Sequence, residues 1–301
     1  MYKKSMINQI SVTSDIFLNL LYVILSAICI VPILLVLVIS FTDEHEIIMN
    51  GYSFLPERFS TEAYKFVLSA GEGILNAYGV SIFTAVVGTV LSVSVITLYA
   101  YPLSRSNFKY KKLFSFLAFF TMIFGGGLVP WYMVYSQLFR IRNTIWILIF
   151  PYLMNAWFVM IMRTFIKTSV PESLIESAKI DGASEFRTFF SIVLPLLKPG
   201  IATIGLLSCL GYWNDWYLPL VFLTEIKLYN IQYLMYQTLS NIQFLTSGSA
   251  NFSELGMVLA DLPGESARMA VAVVSIGPII FAYGFFQKYF IKGLTIGAIK
   301  G

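Results

Sequence analysis

The chain has 301 residues, of which 57% are hydrophobic and only 12% are charged, and its mean hydropathy is +0.76. Soluble domains carry about 25% charged residues, so this composition excludes an ordinary soluble protein and indicates a chain that lies largely in lipid. The net charge of +4 comes from basic residues scattered between apolar segments, so nucleic-acid binding, which favours dense basic runs, is not expected.

Six apolar segments have about the length that a helix needs to cross a bilayer, which is roughly 20 residues. Each is expected to be helical because lipid cannot satisfy exposed backbone polar groups. A further apolar segment, Tyr229–Leu245, contains five amide side chains and is placed outside the membrane. We therefore predict an all-α integral membrane protein with six transmembrane helices at Ile16–Phe41, Tyr78–Leu103, Leu113–Leu138, Thr144–Ile166, Ile201–Leu223 and Ala270–Phe286.

Basic residues are unevenly distributed between the two sides of this predicted membrane domain. With six spans both termini lie on one side, and 14 of the 20 basic residues lie there as well. Loops rich in Lys and Arg stay in the cytoplasm, so both termini are predicted to be cytoplasmic. The first apolar run is longer than the roughly 7–15 residues of a signal peptide, so we expect it to be retained as a span. The predicted organisation is a cytoplasmic segment at 1–15, the membrane domain at 16–291 with a cytoplasmic loop at 171–199, and a cytoplasmic tail at 292–301.

Few residues in these spans and loops point to metal or redox chemistry. Cys29 and Cys209 lie in apolar segments, so no disulfide is expected. The single histidine, His45, lies between acids in a polar loop, where solvation accounts for it, and no metal site is predicted. The run Gly125–Gly127 in the third span has two interpretations: close packing against another helix, which we favour, or a break in the helix beside a transport pathway.

The loop between the fourth and fifth spans is long enough to hold two helices. Pro171 suits the first turn of a helix, where its missing N–H has no cost. Gly182 is expected to end that helix in a turn, and Ser184 is expected to cap a second helix that ends at Pro195 and Pro199. The first helix is short and amphipathic, so it needs a partner, either lipid headgroups or another protein.

This loop resembles the EAA loop of bacterial ATP-binding-cassette (ABC) import permeases. The family pattern is Glu-Ala-Ala, three residues, Gly, nine residues and Ile-x-Leu-Pro, and here it begins at Glu176 with Ser177 in place of the first alanine. In that family the loop forms a coupling helix that docks in a cleft of the ATPase subunit. The resemblance implies a type I ABC importer permease fold, with ATPase-coupling residues Glu176, Ser177, Ala178, Asp181, Gly182, Leu194 and Pro195.

Other stretches are similar to the carbohydrate-uptake branch of the same family, the permeases like the maltose-type second subunit. They are Ala100–Arg105 at the end of the second span, Tyr212–Trp216 in the fifth, and the C-terminal tail from Gln287. The run Gly125–Pro130 is similar to a subgroup linked to complex oligosaccharides and to lipoprotein-type binding proteins. In relatives the tail reaches the ATPase pair, which implies such contacts for Lys292, Gly293, Gly297 and Lys300.

Polar and aromatic residues within the spans are candidates for the solute pathway. Asp215 is the one carboxylate in a predicted span, and an ionisable group at membrane depth is a functional candidate by default. Aromatic faces with amide and carboxylate acceptors suit the apolar faces and hydroxyl groups of sugars. An aromatic belt near the outer surface would explain the same residues. The candidates are Asn155, Tyr212, Trp213, Asn214, Asp215 and Trp216.

The resemblance implies a carbohydrate importer that works as an assembly in a bacterial plasma membrane. Its expected partners are a second homologous permease, two ATP-binding subunits that hold ATP and Mg²⁺, and an extracellular solute-binding (lipo)protein. No cofactor is expected on this chain. An enzyme is not expected either, because the sequence has no G-x-x-x-x-G-K-[ST] phosphate loop and no histidine pair for a metal. The alternative is a gradient-driven secondary transporter, which would usually show inverted repeats and several buried ionisable groups.

Overall fold

The structure, a computed structural model, describes residues 12–68, 72–246 and 264–277, together with residues 279 and 284. Every regular element in these residues is helical, and their one extended pairing is an isolated bridge between Thr42 and Phe59. The all-α prediction is therefore confirmed for the described residues. The helices are α1 (Val12–Ser40), α2 (Glu44–Asn50), α3 (Glu62–Leu68), α4 (Glu72–Ser104), α5 (Lys111–Ile123), α6 (Leu128–Met133), α7 (Ala156–Ser169), α8 (Glu172–Ile180), α9 (Glu185–Thr188), α10 (Leu194–Leu196), α11 (Lys198–Trp213), α12 (Tyr217–Phe222), α13 (Ile231–Thr246) and α14 (residues 265–277).

Two of these helices are long and apolar enough to cross a membrane as single rods, within α1 and α4. Further candidates are pairs of helices that are bent at a short break, so the described residues hold two spans, or up to five if each pair counts as one. The pairs are Lys111–Ile123 with Leu128–Leu138 (bent by 116°), Ile145–Tyr152 with Ala156–Ser169 (53°), and Glu185–Leu196 with Lys198–Trp213 (78°).

The prediction of continuous helices for the third, fourth and fifth spans is wrong. Each predicted span contains residues that compete with helical hydrogen bonding: Gly125–Gly127 in the third, Asn155 in the fourth and Asp215 in the fifth. Glycine has a high cost in a helix interior, and Asn and Asp side chains bond nearby backbone groups instead. The predicted sixth span overlaps α14 and continues outside the described residues, so the count of six stays a prediction.

The described residues divide into two compact units, 12–68 with 241–246 and 264–274, and 72–240 with 275–277, 279 and 284. In the first unit most side chains of α1 are exposed, as expected of an apolar helix that faces lipid or another membrane protein. The Glu44 carboxylate of α2 accepts hydrogen bonds from the backbone N–H groups of Glu265 (2.8 Å) and Ser266 (2.9 Å). It thereby satisfies donors at the beginning of α14, which otherwise lack partners.

The second unit is built around α4, α7 and α11, which pack through a shared apolar core. Gly88 of α4 lets the ring of Tyr212 of α11 lie directly against the α4 backbone. The Tyr212 hydroxyl is fixed there by hydrogen bonds with Ser92 Oγ (2.9 Å) and the carbonyl of Ile149 (3.1 Å). The core includes Ile96, Leu103, Val159, Met162, Ile166, Val193, Leu197 and Ile204.

We expect Gly88→Ala to destabilise the protein. A Cβ at this position would lie 2.6 Å from Cζ of Tyr212, and the ring cannot retreat without losing its two hydrogen bonds. Overpacking of this kind costs about 1–3 kcal/mol. Thermal unfolding of the purified protein in detergent measures the effect.

The matched control is Gly79→Ala in the same helix, where nothing lies within 4 Å of the added Cβ. This variant should be neutral or more stable by up to about 1 kcal/mol, because alanine is the better helix former. Equal unfolding temperatures for the two variants would contradict the proposed close packing.

Candidate functional site

The segment after α7 folds into a helical hairpin, and its turn is set by Gly182. Helix α8 ends at Ile180, and Gly182 follows with φ +76°. The Gly182 N–H bonds the carbonyl of Lys179 (3.0 Å), and the Ala183 N–H bonds the carbonyl of Ala178 (2.9 Å). These two bonds define a Schellman motif, in which glycine is the residue that adopts the left-handed conformation at least cost. The predicted turn at Gly182 is confirmed.

The second arm of the hairpin begins as predicted but does not end as predicted. Ser184 Oγ accepts a hydrogen bond from the Arg187 N–H (3.3 Å), so Ser184 caps α9. The arm runs on through a π-helical stretch and α10 to Leu196. Pro195 lies inside this last turn, and Pro199 lies in the first turn of α11. Proline is tolerated in a first turn because its missing N–H would have no helical partner, so Pro199 begins a helix and does not end one.

Polar contacts join the two arms of the hairpin to each other and to α4. Lys179 Nζ lies 2.6 Å from the Glu185 carboxylate, across the turn. The Tyr101 hydroxyl of α4 donates to the other oxygen of Glu185 (2.9 Å). Ser106, just after α4, donates to the Glu172 carboxylate at the beginning of α8 (2.5 Å). The hairpin is therefore attached to the end of the longest helix of its unit.

Side-chain burial divides the predicted coupling residues into two groups. Ala178 is only 6% exposed and packs on the core side of α8. It would therefore contribute to a docking surface only indirectly, by fixing the position of α8. The hairpin tip also exposes two large apolar side chains, Ile180 (86% exposed) and Phe186 (77%). Phe186 was missed from the sequence, where only its position after the turn could have singled it out. The exposed predicted residues are Glu176, Ser177, Asp181, Gly182 and Pro195, and Leu194 is half-buried.

Asp215 lies in the break between α11 and α12, where its side chain connects neighbouring segments through hydrogen bonds. It is 6% exposed. Its Oδ1 accepts hydrogen bonds from the Tyr152 hydroxyl (3.2 Å) and from the backbone N–H groups of Tyr217 (3.1 Å) and Leu218 (3.2 Å). Its Oδ2 is buried and has no hydrogen-bond partner among the described residues. The carboxylate thus caps α12 and joins it to the residues that precede α7.

The neighbours of Asp215 separate into buried and exposed side chains. Tyr212 and Trp213 are buried, and the Trp213 indole N–H donates to the carbonyl of Ser275 (3.1 Å). They pack within the unit and expose almost no surface to a solute, so the prediction that they line a pathway is not supported by their burial. Asn214 and Trp216 are exposed. The structure therefore splits a run of adjacent residues that the sequence treats as one cluster.

Asn155 lies in the break before α7, where its side chain has a structural role. Its Oδ1 accepts hydrogen bonds from the backbone N–H groups of Trp157 (2.9 Å) and Phe158 (3.4 Å). The residue is exposed and caps α7. Its Oδ1 is therefore engaged in capping α7, and only the other exposed atoms of the residue are accessible to a solute.

Exposed and half-buried aromatic side chains lie next to Asp215, and we call them the aromatic shelf: Trp131, Tyr217, Trp216 and Tyr236, whose rings contact one another in that order, with Tyr152, which bonds Asp215. Trp216 stacks on Tyr236, with ring centroids 4.7 Å apart, and Tyr217 stacks on Trp131 at 6.2 Å. The sequence analysis missed Trp131 and Tyr236, because the first follows the glycine run and the second lies in the segment placed outside the membrane. Only their aromatic character could have indicated them.

The glycine run of the third predicted span breaks the helix. Helix α5 ends at Ile123, and the chain turns by 116° before α6, with Gly127 at φ +84°. A Cβ added at any of the three glycines would have nothing within 4 Å. The close-packing interpretation is therefore wrong for the described residues, and the break in the helix is confirmed. Its position beside a transport pathway stays a prediction. The tail residues Lys292, Gly293, Gly297 and Lys300 lie outside the described residues.

Residues 90–296 match a protein family described as the binding-protein-dependent transport system inner membrane component. The chain is 36% identical over 275 residues to the polygalacturonan/rhamnogalacturonan transport system permease protein YtcP of Bacillus subtilis (strain 168), covering 91% of this chain and 93% of that protein. It is 37% identical over 276 residues to protein LplC of the same organism, covering 91% and 90%.

A solved structure is similar over almost the whole chain. It is the crystal structure of a bacterial ABC transporter involved in the import of the acidic polysaccharide alginate. The TM-score is 0.74 at 26% sequence identity, and the match covers 94% of this chain and 99% of that chain. The shared helical fold agrees with the type I ABC permease architecture that the loop motif implies.

Replacing Asp215 by alanine should lower stability, because α12 loses its cap and Tyr152 loses its acceptor. The loss of such a cap costs about 0.5–2 kcal/mol. Asp215→Asn, which keeps an acceptor at Oδ1, should retain most of the stability. Thermal unfolding in detergent compares the variants.

The matched control is the neighbouring Asn214→Ala, which removes an exposed side chain and should change stability by no more than about 0.5 kcal/mol. If Asp215→Ala unfolds at the same temperature as this control, the hydrogen bonds of Asp215 to α12 and Tyr152 do not stabilise the protein.

Proposed function

The chain belongs to the family of binding-protein-dependent transport system inner membrane components, and from that premise we propose how it works. It is a permease subunit of an ABC importer for carbohydrates, as its permease relatives and the structural similarity to an ABC importer indicate. Members of this family are membrane transport components and not enzymes, which agrees with the sequence analysis. The assignment gives no support to a gradient-driven secondary transporter.

We propose that the substrates are oligosaccharides. One relative is named for polygalacturonan/rhamnogalacturonan transport, another for arabinooligosaccharide transport, and the similar solved structure is of a transporter involved in alginate import. The aromatic shelf is the feature of this chain that supports a sugar, because pyranose rings stack on aromatic faces while their hydroxyl groups reach polar neighbours. Asn214 and Asn155 are the exposed amides near the breaks that could serve those hydroxyl groups.

The proposed assembly contains this chain, a second homologous permease, two ATP-binding subunits and an extracellular solute-binding (lipo)protein. ATP and Mg²⁺ belong to the ATPase subunits in this scheme. The membrane domain has six spans in this scheme, and the two bent pairs Lys111–Ile123 with Leu128–Leu138 and Ile145–Tyr152 with Ala156–Ser169 count as broken spans of the kind that transporters use beside their pathways. Both termini and the hairpin lie in the cytoplasm, as the excess of basic residues on that side indicates.

The hairpin is the proposed site of coupling to the ATPase. Its tip presents Ile180 and Phe186 beside Glu176 and Asp181, and exposed apolar patches with polar rims are typical of protein interfaces. Its base is held in the core by Ile175, and Glu185, next to the turn, bonds the hairpin to Tyr101 of α4. A displacement of the tip by a closing ATPase would therefore move the membrane helices. The observation that carries the proposal is the EAA-like loop folded as an exposed hairpin on a chain of this family.

Purification of the tagged chain from its native membrane in mild detergent tests the assembly, and Gly182→Val tests the coupling. We expect the purification to recover an ATPase with a phosphate loop, a second permease and a binding protein.

In the Gly182→Val variant, valine at φ +76° costs at least about 1–2 kcal/mol of backbone strain and should distort the tip of the hairpin. In proteoliposomes the variant should therefore hydrolyse ATP with little solute uptake.

Gly51→Val is the matched control, since Gly51 also has a positive φ (+74°) but lies in the loop after α2. It should retain the ATPase subunits and their coupling. Recovery of the chain alone would overturn the importer assignment, and full uptake by Gly182→Val would overturn the role of the hairpin.

Trp216→Ala should reduce uptake of labelled oligogalacturonides by a larger factor than the loss of a comparable aromatic pair elsewhere, because it removes one face of the aromatic shelf. Loss of an aromatic stacking pair costs about 0.5–1.5 kcal/mol, or several-fold in rate. Trp146→Ala is the control: Trp146 is 42% exposed against 41% for Trp216, and it stacks on Phe150 as Trp216 stacks on Tyr236. Equal uptake by the two variants would exclude Trp216 from the pathway.

A further inference from the structure

A cavity of about 310 Å³ lies at the base of the hairpin. It is formed where the end of α4, the beginning of α5, the end of α7 and the beginning of α8 come together. These are the ends of three predicted spans, so in the proposed topology the cavity lies at the level of the cytoplasmic headgroups. Its lining residues are Ser104, Arg105, Ser106, Lys111, Ile166, Lys167, Val170, Pro171, Glu172 and Ile175.

The charge around this cavity is strongly unbalanced. Arg105, Lys111 and Lys167 line it, against the single carboxylate of Glu172. The Lys111 ammonium is repelled by Lys167 and Arg163 and attracted by Glu172, and Arg105 interacts with the Glu185 carboxylate. The salt bridges among the described residues involve Lys179 and Arg268, so none of these four cations makes a close ion pair there. The Glu172 carboxylate itself accepts a hydrogen bond from Ser106.

Helix capping accounts for only part of this cation cluster. Lys111 Nζ donates to the carbonyl of Arg105 (2.9 Å), and Arg163 Nε donates to the carbonyl of Leu103 (3.1 Å). Both bonds satisfy carbonyls at the C-terminal end of α4, where positive charge is favourable. An ammonium has three donors and a guanidinium five, so each keeps donors to spare. Membrane topology explains why cations lie at this surface, but it does not explain why they converge on one cavity.

We propose that this cavity, lined by the cations Arg105, Lys111 and Lys167 with Arg163 near Lys111, binds a phosphate group, supplied by the headgroup of an anionic phospholipid or by free phosphate. Basic pockets between transmembrane helices on the cytoplasmic side are typical sites for anionic headgroups. A phosphate carries the negative charge that the cluster lacks, and its oxygens accept hydrogen bonds from Lys and Arg.

An occupant of this cavity would influence coupling directly. Glu172 and Ile175 belong to the first turns of α8, and both line the cavity. The phosphate would screen the mutual repulsion of the cations and hold the base of the hairpin against the ends of α4, α5 and α7. This consequence rests on the proposed role of the hairpin in ATPase coupling, whereas the binding itself does not.

The test measures binding of phosphatidylglycerol, the probe lipid, to the purified assembly. Wild type and Lys111→Gln/Lys167→Gln are reconstituted in nanodiscs of phosphatidylcholine with and without phosphatidylglycerol, and native mass spectrometry counts the anionic lipid retained on release. Each cation is worth about fivefold in affinity for an anionic headgroup, so the double variant should bind the lipid about thirtyfold more weakly. Each single variant should lose about fivefold and remains informative if the double variant misfolds.

Lys112→Gln is the matched control, because Lys112 adjoins Lys111, carries the same charge and does not line the cavity. It should retain phosphatidylglycerol like the wild type. Equal retention by this control and by the double variant, whether both high or both low, would overturn the proposal. Failure of the importer assignment would show separately, as loss of the ATPase subunits from the purified material.

Thermal unfolding distinguishes the two sources of the phosphate group. In phosphatidylcholine nanodiscs, added inorganic phosphate stabilises the wild type but not the double variant if a free anion occupies the cavity. If only phosphatidylglycerol stabilises the wild type, the occupant is a lipid headgroup. Stabilisation by neither would overturn the proposal.

Discussion

Backbone polar groups have no partners in lipid, and this constraint governs how the membrane helices of this chain are broken. Each break exposes helix ends whose N–H and C=O groups must be satisfied from within the protein. Asn155 does this for α7 and Asp215 for α12. Tyr152, just before the first of these breaks, donates to the carboxylate in the second, so one hydrogen bond joins both. Asn230 extends the arrangement, since its amide donates to the Asp215 carbonyl while its oxygen accepts from the Tyr233 N–H at the beginning of α13.

This arrangement makes α11 a rigid connection between the two candidate sites. It begins at Lys198, where the hairpin ends, and it ends at Trp213, next to the break that holds Asp215. Along its length it is locked to its neighbours by close approaches at both ends: the Tyr212 ring against Gly88, and Gly200 against the Phe165 ring. A well-packed interface of this kind moves as a unit because interiors are dense and resist compression. We propose that α11, which meets the second arm of the hairpin at a bend of 78°, transmits movement of the hairpin toward the aromatic shelf.

How far the sequence predicts this structure depends on what decides each feature. The helical fold could be predicted from composition, because high hydropathy indicates lipid as the solvent. The turn at Gly182 could be predicted because glycine is the residue that adopts a left-handed conformation at least cost. The breaks at Asn155 and Asp215 could not be located, because average hydropathy does not register a single polar residue. An amide that caps a helix also looks the same in a sequence as an amide that binds a solute. The burial of individual side chains could not be predicted either. Trp213 and Trp216 are three positions apart and both aromatic, yet Trp213 is in the core and Trp216 is exposed.

We propose that the solute pathway runs past the exposed residues beside the breaks, since the Asp215 side chain is buried. A helix end at membrane depth must face protein or a water-filled space, and Asn155, Asn214 and Trp216 are exposed next to such ends. Aromatic stacking has little dependence on the identity of the sugar, because it uses the apolar ring face and not a particular hydroxyl pattern. A pathway built on the aromatic shelf would hold many oligosaccharides similarly. In the proposed assembly, discrimination between them then belongs to the protein that delivers the solute, while this chain would contribute the passage and the link to ATP hydrolysis.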